Sequence, residues 1–167
     1  VGSEMCIRDR RERVKTFRNS KVYLTSTPTI SVGHIWKSLM AADVEKHYFV
    51  PCPHCGEMIE LRFKQIKFPE AEEGMTASDR ADQAVYVCQE CGSIITDYHK
   101  DAMLRRGRWQ IVRESNAAHK KVGYWINTLY SPFVRFSEIV KEFLDSKDDP
   151  EKFQNFTNSW LAEPWED

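Results

Sequence analysis

Two Cys-x-x-Cys pairs carry the clearest chemistry in this chain: Cys52-Pro53-His54-Cys55-Gly56 and Cys88-Gln89-Glu90-Cys91-Gly92, separated by 32 residues. Two thiols at this spacing can grip one ion from a single turn. The Gly that follows permits the positive φ with which such a turn closes, and it lets backbone N–H groups point at sulfur. Together Cys52, Cys55, Cys88 and Cys91 offer a complete tetrahedral set of thiolates for Zn2+. Four sulfurs leave no open position for water or substrate, so the metal expected here is structural. In a segment too small to hold its own core, metal-binding free energy becomes folding free energy, on the order of 10 kcal/mol for structural zinc in small peptides. Loss of the metal, or Cys52→Ser or Cys88→Ser, is therefore expected to unfold residues from about 48 to 96.

Other polar residues offer less. His54 lies inside the first knuckle, but the sulfurs already saturate the metal and an intervening side chain in such a turn points outward. His34, His47, His99 and His119 have no partner at metal spacing and read as surface or capping residues. Glu72, Glu73, Asp79 and Asp82 fall in a stretch that reads as a solvated loop rather than a nuclease site. Arg62, Lys64 and Lys67 lie along one predicted strand and its exit, and Arg105, Arg106 and Arg108 follow the second knuckle. These six are the candidate phosphate contacts, with an ordinary solvated face as the alternative.

The composition bounds the class. The chain has 167 residues, 41% hydrophobic and 12% aromatic, enough to build a core. A formal net charge of −1 provides no overall basic field, so contact with nucleic acid must come from a local patch. The apolar runs are too short for a membrane span. Of five cysteines, four sit in the pairs, which fits metal-bound thiolates in a reducing compartment better than a disulfide framework. Residues 1–10 (V-G-S-E-M-C-I-R-D-R) read as translated sequencing-adapter read-through and are set apart from the fold, with Cys6.

The elements that must position the cysteines follow from periodicity. Lys21 to Thr25 is β-branched and aromatic and predicts a short buried strand ending at Ser26-Thr27-Pro28-Thr29. Ser31 is the predicted N-cap of a helix carrying Ile35, Trp36, Leu39 and Met40 on one face. Tyr48-Phe49-Val50 leads into the first knuckle, and Ile59, Leu61 and Phe63 alternate with polar residues as a half-buried strand leaving it. Val85-Tyr86-Val87 and Ser93 to Thr96 flank the second knuckle, so two short hairpins are expected to face one ion. Residues 69–83 read as an exposed acidic loop. Asp97 is predicted to cap a short helix ending before Gly107, followed by a strand at Trp109 to Val112. Beyond an apolar stretch from Gly123 to Tyr130, Ser137 is the predicted cap of one amphipathic helix, and Asp149-Pro150 starts a second that carries Phe153, Phe156, Trp160 and Leu161. The fold class is α+β, with a zinc ribbon at its centre.

Taken in order, Arg13 and Phe17, Ser26-Thr27-Pro28-Thr29, Tyr48-x-Val50-Pro51-Cys52-Pro53-His54-Cys55-Gly56, Tyr86-x-Cys88-x-x-Cys91-Gly92, Gly107-x-Trp109, Gly123-Tyr124-x-Ile126-Asn127-x-Leu129-Tyr130-Ser131-Pro132 and Leu161-x-Glu163-Pro164-Trp165 resemble the lambda-type phage terminase large subunit. The resemblance covers nearly all of the chain from Arg11 onward. It implies a DNA-packaging ATPase and endonuclease, with Ser26, Thr27 and Pro28 matching the family's third ATPase motif, which couples hydrolysis to movement. Hydroxyls at a strand end suit that task, since they can bond a phosphate oxygen or its attacking water.

The resemblance further implies a domain order. Residues 11–47 would end an α/β ATPase domain, 48–113 would form the ribbon, and 114–167 would begin the nuclease region. No G-x-x-x-x-G-K-[ST] loop occurs, so ATP and Mg2+ are cofactors of a longer parent, and this chain alone is expected to be an inactive internal fragment. Implied partners are double-stranded viral DNA, the terminase small subunit and the capsid portal, in the cytoplasm of an infected bacterial host. Two other readings account for the cysteines: a free-standing zinc-ribbon module that binds nucleic acid or protein, and a rubredoxin-like iron electron carrier.

Overall fold

The computed structural model describes residues 12–117 and 119–166; residues 1–11, including Cys6, lie outside them. Strand β1 (Val44–Pro51) is the spine. It pairs antiparallel with β6 (Arg108–Glu114), placing Tyr48 opposite Trp109, and parallel with β7 (Val122–Trp125), placing His47 opposite Trp125. The far end of β1 hooks back through the first knuckle onto β2 (Met58–Ile59), with Val50 opposite Ile59. A second, antiparallel sheet is built from β3 (Ile66–Lys67), β4 (Val85–Val87) and β5 (Ile94–Ile95), the last two joined through the second knuckle. The two predicted hairpins are thus both present, in a mixed α/β chain.

The helices that lie wholly within the described residues are α1 (His34–Met40), α2 (Ala77–Asp82), α3 (Asp97–Arg105), α4 (Phe136–Ser146) and α5 (Pro150–Asn155), the last continuing into a π-helical turn at Phe156–Trp160. Helix α4 buries Ile139, Val140 and Leu144 on the predicted stripe. These pack with Ile59, Leu61, Ile66, Tyr86 and Ile95 of the ribbon and with Leu129, Tyr130 and Phe156 in one continuous core. Phe63, from a 3-10 turn at Phe63–Gln65, meets Phe143 at 5.1 Å and Phe156 at 5.4 Å between ring centroids. The residues after 121 therefore close the ribbon's hydrophobic face rather than building a core of their own.

Polar bonds fix the seam. The Tyr130 hydroxyl accepts from the Leu61 N–H at 2.9 Å and donates to the Tyr48 carbonyl. Asn127 donates to the Leu61 carbonyl at 3.0 Å. Asp97, at the start of α3, accepts from the Phe136 N–H at 3.0 Å and so satisfies the first turn of α4 from outside that helix.

Several expectations need correction. Lys21 to Thr25 forms no strand, and Tyr23 is 81% exposed, because among the described residues no neighbouring strand lies alongside to complete a ladder. Helix α1 starts at His34 with Gly33, not Ser31, at the N-cap. The run from Ile59 keeps its alternating burial but is strand only at Met58–Ile59; Leu61 and Arg62 give their N–H groups to the Tyr130 and Tyr86 hydroxyls instead of to a ladder. The stretch 69–83 contains α2, nucleated by a capping box in which Thr76 and Asp79 bond each other reciprocally. Thr96, not Asp97, is the N-cap of α3. Ser137 lies inside α4; Arg135 is the N-cap, its N–H bonded by Glu138 at 2.7 Å. Asp149 does cap α5, accepting from Glu151 and Lys152.

Candidate metal centre and the cleft beside it

Each knuckle has the same backbone. The Cys52 N–H bonds the Glu57 carbonyl at 2.8 Å and the Gly56 N–H bonds the Cys52 carbonyl at 3.0 Å; Cys88 repeats this with Ser93 and Gly92, both at 3.0 Å. Gly56 and Gly92 sit at φ 79° and 71°, the left-handed conformation their position required. Further N–H groups point at sulfur, from His54 to Cys52 at 3.5 Å and from Glu90 to Cys88 at 3.4 Å.

The four sulfurs lie within 4.8 Å of one another, and the Cys52 and Cys91 sulfurs are 3.9 Å apart. A tetrahedral zinc with thiolates at ~2.3 Å requires sulfurs about 3.8 Å apart, so the donor set fits a four-coordinate ion. Electrostatics point the same way. The Ser93 hydroxyl and N–H draw the Cys91 thiol down to about 6. For Cys55 the Glu57 N–H pulls down, but desolvation and the adjoining Cys52 and Cys91 outweigh it and push the thiol up to about 12. Crowded thiols cannot all ionise unaided; a divalent cation among them removes that conflict. Cys52 and Cys88 are buried while Cys55 and Cys91 face outward. His54 turns away to bond the Ile94 carbonyl at 2.8 Å and is not a fifth donor.

The remaining candidates are scattered. Ser26 and Thr27 are exposed, the Ser26 hydroxyl donating to the Thr27 carbonyl at 2.9 Å, while Pro28 is buried. Arg62 grips Glu60 through Nε at 2.9 Å and Nη2 at 2.7 Å, and its guanidinium stacks 4.8 Å from the Trp125 ring. Lys64 lines a shallow cleft together with Glu60, Arg62 and Gln89, and Lys67 donates back to the Lys64 carbonyl at 3.0 Å. Arg105 pairs with Asp101 at 2.9 Å on an exposed turn of α3; Arg106, the C-cap of that helix, and Arg108, the first residue of β6, are also exposed.

Sequence reasoning missed a buried charge relay. His47, far from a surface residue, is 9% exposed and bridges two carboxylates, Glu45 through Nε2 at 2.9 Å and Glu60 through Nδ1. Arg113 bonds Glu45 at 2.9 Å from one end and Arg62 bonds Glu60 from the other. The alternating charges on β1, Glu45-Lys46-His47, were the available signal; their partners lie too far along the chain for spacing to reveal. Beside this relay opens a cleft of about 550 Å³ walled by Trp36, Trp125 and Trp165. Among the described residues, no helix is long and apolar enough to cross a membrane.

The model of the phage terminase large subunit gpA ATPase domain matches residues 10–109, which include all four metal-site cysteines, and that of the gpA endonuclease domain matches residues 121–167. The terminase large subunit of Enterobacteria phage P21 is 28% identical over 148 residues, covering 76% of this chain and 22% of the relative. That of Escherichia phage lambda is 29% identical over 143 residues, covering 75% of this chain and 22% of the relative. The chain thus spans about a fifth of the length of these relatives. No solved structure matches it. With more than half its length matched by the ATPase-domain model and the endonuclease-domain model following in order, the chain belongs to the phage terminase large subunit gpA family.

Proposed function

We propose that this chain is the joint between the motor and nuclease parts of a terminase large subunit that uses ATP to package viral DNA and cleaves concatemeric DNA. The observation that carries the reading is the order of the two matches, 10–109 then 121–167, laid over one shared hydrophobic core. In the proposal Cys52, Cys55, Cys88 and Cys91 hold a structural Zn2+ as a ribbon between the end of an α/β ATPase domain and the helical segment that leads into the nuclease. The ion supplies charge neutralisation and cross-linking; the chain's own residues supply the backbone turns that aim the thiolates.

Ser26, Thr27 and Pro28 take the coupling role: buried Pro28 anchors the loop while the two hydroxyl residues are exposed on the side that would meet a nucleotide held by the rest of the parent with Mg2+, the Ser26 hydroxyl exchanging its local bond to the Thr27 carbonyl. DNA phosphates would be met by Lys64, Lys67, Arg106 and Arg108, with Arg62 and Arg105 committed largely to their carboxylate partners. The small subunit and the capsid portal are the proposed protein partners, and the host cytoplasm the site of action.

The test uses the parent reading frame beside this chain. The parent is expected to hydrolyse ATP and cut DNA and the 167-residue chain to do neither. A parent inactive in both assays, or a turning-over fragment, overturns the reading.

A further inference from the structure

The sheet built on β1 has two faces of opposite character. One carries Glu45, His47 and Trp125 and is closed by α1, whose Leu39 carbonyl takes the Arg113 guanidinium at 2.9 Å, and by the segment around Trp165. On the other, Lys46 lies between Ile111 of β6 and Tyr124 of β7, with Trp109 opposite Tyr48 and Val122 opposite Val44. Residues opposite one another, and those two apart along a strand, share a face.

This second face is open. Trp109 is 39% exposed, Ile111 47%, Val122 39% and Tyr124 56%; Val112, at the bulge of β6, and Ile126, just past β7, add 43% and 47%. The Trp109 and Tyr124 rings meet at 4.9 Å across β1, so the patch is continuous. Scattered exposed apolar side chains are ordinary, but a continuous set on one sheet face marks a contact surface.

Charge narrows the occupant. Lys46 sits in the middle of the patch, its Nζ 6.0 Å from the Tyr124 ring centroid and without an ion pair among the described residues. A second copy packed face to face about a twofold axis through the patch sets Lys46 against its own counterpart, a like-charge contact. A nucleic acid is a poor fit as well, since Ile111, Val112, Val122 and Ile126 offer bases no ring to stack on. A polypeptide that brings an apolar face and a carboxylate satisfies both the patch and the cation.

The parent polypeptide is the source. The matched stretch is only 22% of each curated relative, and a further apolar surface lies open at Val22, 49% exposed, and Tyr23, 81% exposed, in a run with no ladder partner among the described residues. Two such surfaces on one body are what the division of a larger packed body leaves. The face is also composite: Trp109 closes the stretch matched by the ATPase-domain model, while Val122 and Tyr124 belong to the endonuclease-domain match.

We infer that the face formed by Lys46, Trp109, Ile111, Val122 and Tyr124 is covered by an apolar segment of the parent polypeptide, outside residues 1–167, that sets a carboxylate against Lys46. This rests on the fragment reading proposed above. A segment seated there holds the motor and nuclease regions together from the side away from α1.

The test is hydroxyl-radical footprinting, read by mass spectrometry, of the zinc-loaded chain and of the zinc-loaded parent without DNA, each over a range of concentrations. Trp109 and Tyr124 should oxidise readily in the chain and roughly tenfold more slowly in the parent, as side chains taken into an interface core do. Lys46→Glu should return Tyr124 of the parent toward its rate in the chain, and should leave the circular dichroism and zinc content of the chain unchanged. Equal rates in chain and parent, or protection in the parent that Lys46→Glu leaves intact, overturn the inference. So does protection that grows with concentration in the chain, the mark of a second copy, or that appears in the parent only when DNA is added. ATP turnover of the same parent sample decides the functional reading separately, since a parent without turnover that still protects the face sinks only that reading.

Discussion

The backbone N–H of Trp165 bonds the carbonyl of Thr29 at 2.9 Å, and Trp165 and Ile30 form a parallel bridge. One partner closes the Ser26-Thr27-Pro28-Thr29 segment matched by the ATPase-domain model; the other belongs to the stretch matched by the endonuclease-domain model. The two matched regions are therefore interleaved in space, with β1 of the first paired in parallel to β7 of the second. The Trp165 contact should be visible in solution as slowed hydrogen exchange at its amide, which shortening the chain to remove the Thr29 carbonyl should abolish. An amide exchanging at the rate of an open coil in the intact chain would refute the pairing.

Tyr130→Phe should destabilise the fold by about 1–3 kcal/mol, because it leaves the buried Leu61 N–H without its acceptor. Thermal or urea unfolding of the zinc-loaded protein measures it. A variant as stable as the parent would mean that water replaces the hydroxyl.

Gly107→Ala should cost about 1–3 kcal/mol through overpacking. A Cβ there would come within 2.4 Å of the Tyr48 ring, which cannot easily retreat, since its hydroxyl bonds the Leu104 carbonyl at 2.9 Å and its ring abuts Trp109 and Tyr130. The corresponding clash at Gly123 is with the flexible end of Leu39 and should cost less. Comparing the two variants by denaturant midpoint checks the order.

The relay sets a pH window. Burial lowers the pKa of His47, but the Glu60 and Glu45 carboxylates outweigh it and hold it above its ordinary value of 6.5. This stabilisation is full below the unfolded value and is lost as pH rises through the folded one. Burial likewise raises Glu60, but His47 and Arg62 outweigh it and hold it below its ordinary 4.5, so its contribution is present above that value and lost as pH falls through the folded pKa. The relay's own contribution to stability should therefore be greatest on the mildly acidic side of neutrality and decline on either side. His47→Gln should remove the alkaline decline. An unchanged pH profile in that variant would exclude His47 as its source.

What was legible beforehand was whatever the chain states locally. Cys-x-x-Cys-Gly announced both knuckles, Asp149-Pro150 announced the start of α5, and the stripe through Ile139, Val140 and Leu144 announced α4. Thr76-x-x-Asp79 was an equally local capping signal, obscured by the acidic composition around it. The rest depends on partners distant in sequence. Lys21 to Thr25 has strand composition but no ladder partner among the described residues. The relay joins Glu45 to Arg113 across 68 residues, and Arg62 became an internal cation because Glu60 and Trp125 meet it in the fold.

In the proposed account one metal folds a single body containing both matched regions. The most direct measurement combines zinc content with hydrogen exchange before and after chelation. One zinc per chain is predicted, and its removal, or Cys52→Ser, should deprotect β4, β5 and α4 together, because Tyr86 and Ile95 share a core with Ile139 and Val140. A protein isolated without metal, or an α4 that keeps its protection after the ion is gone, would contradict the account.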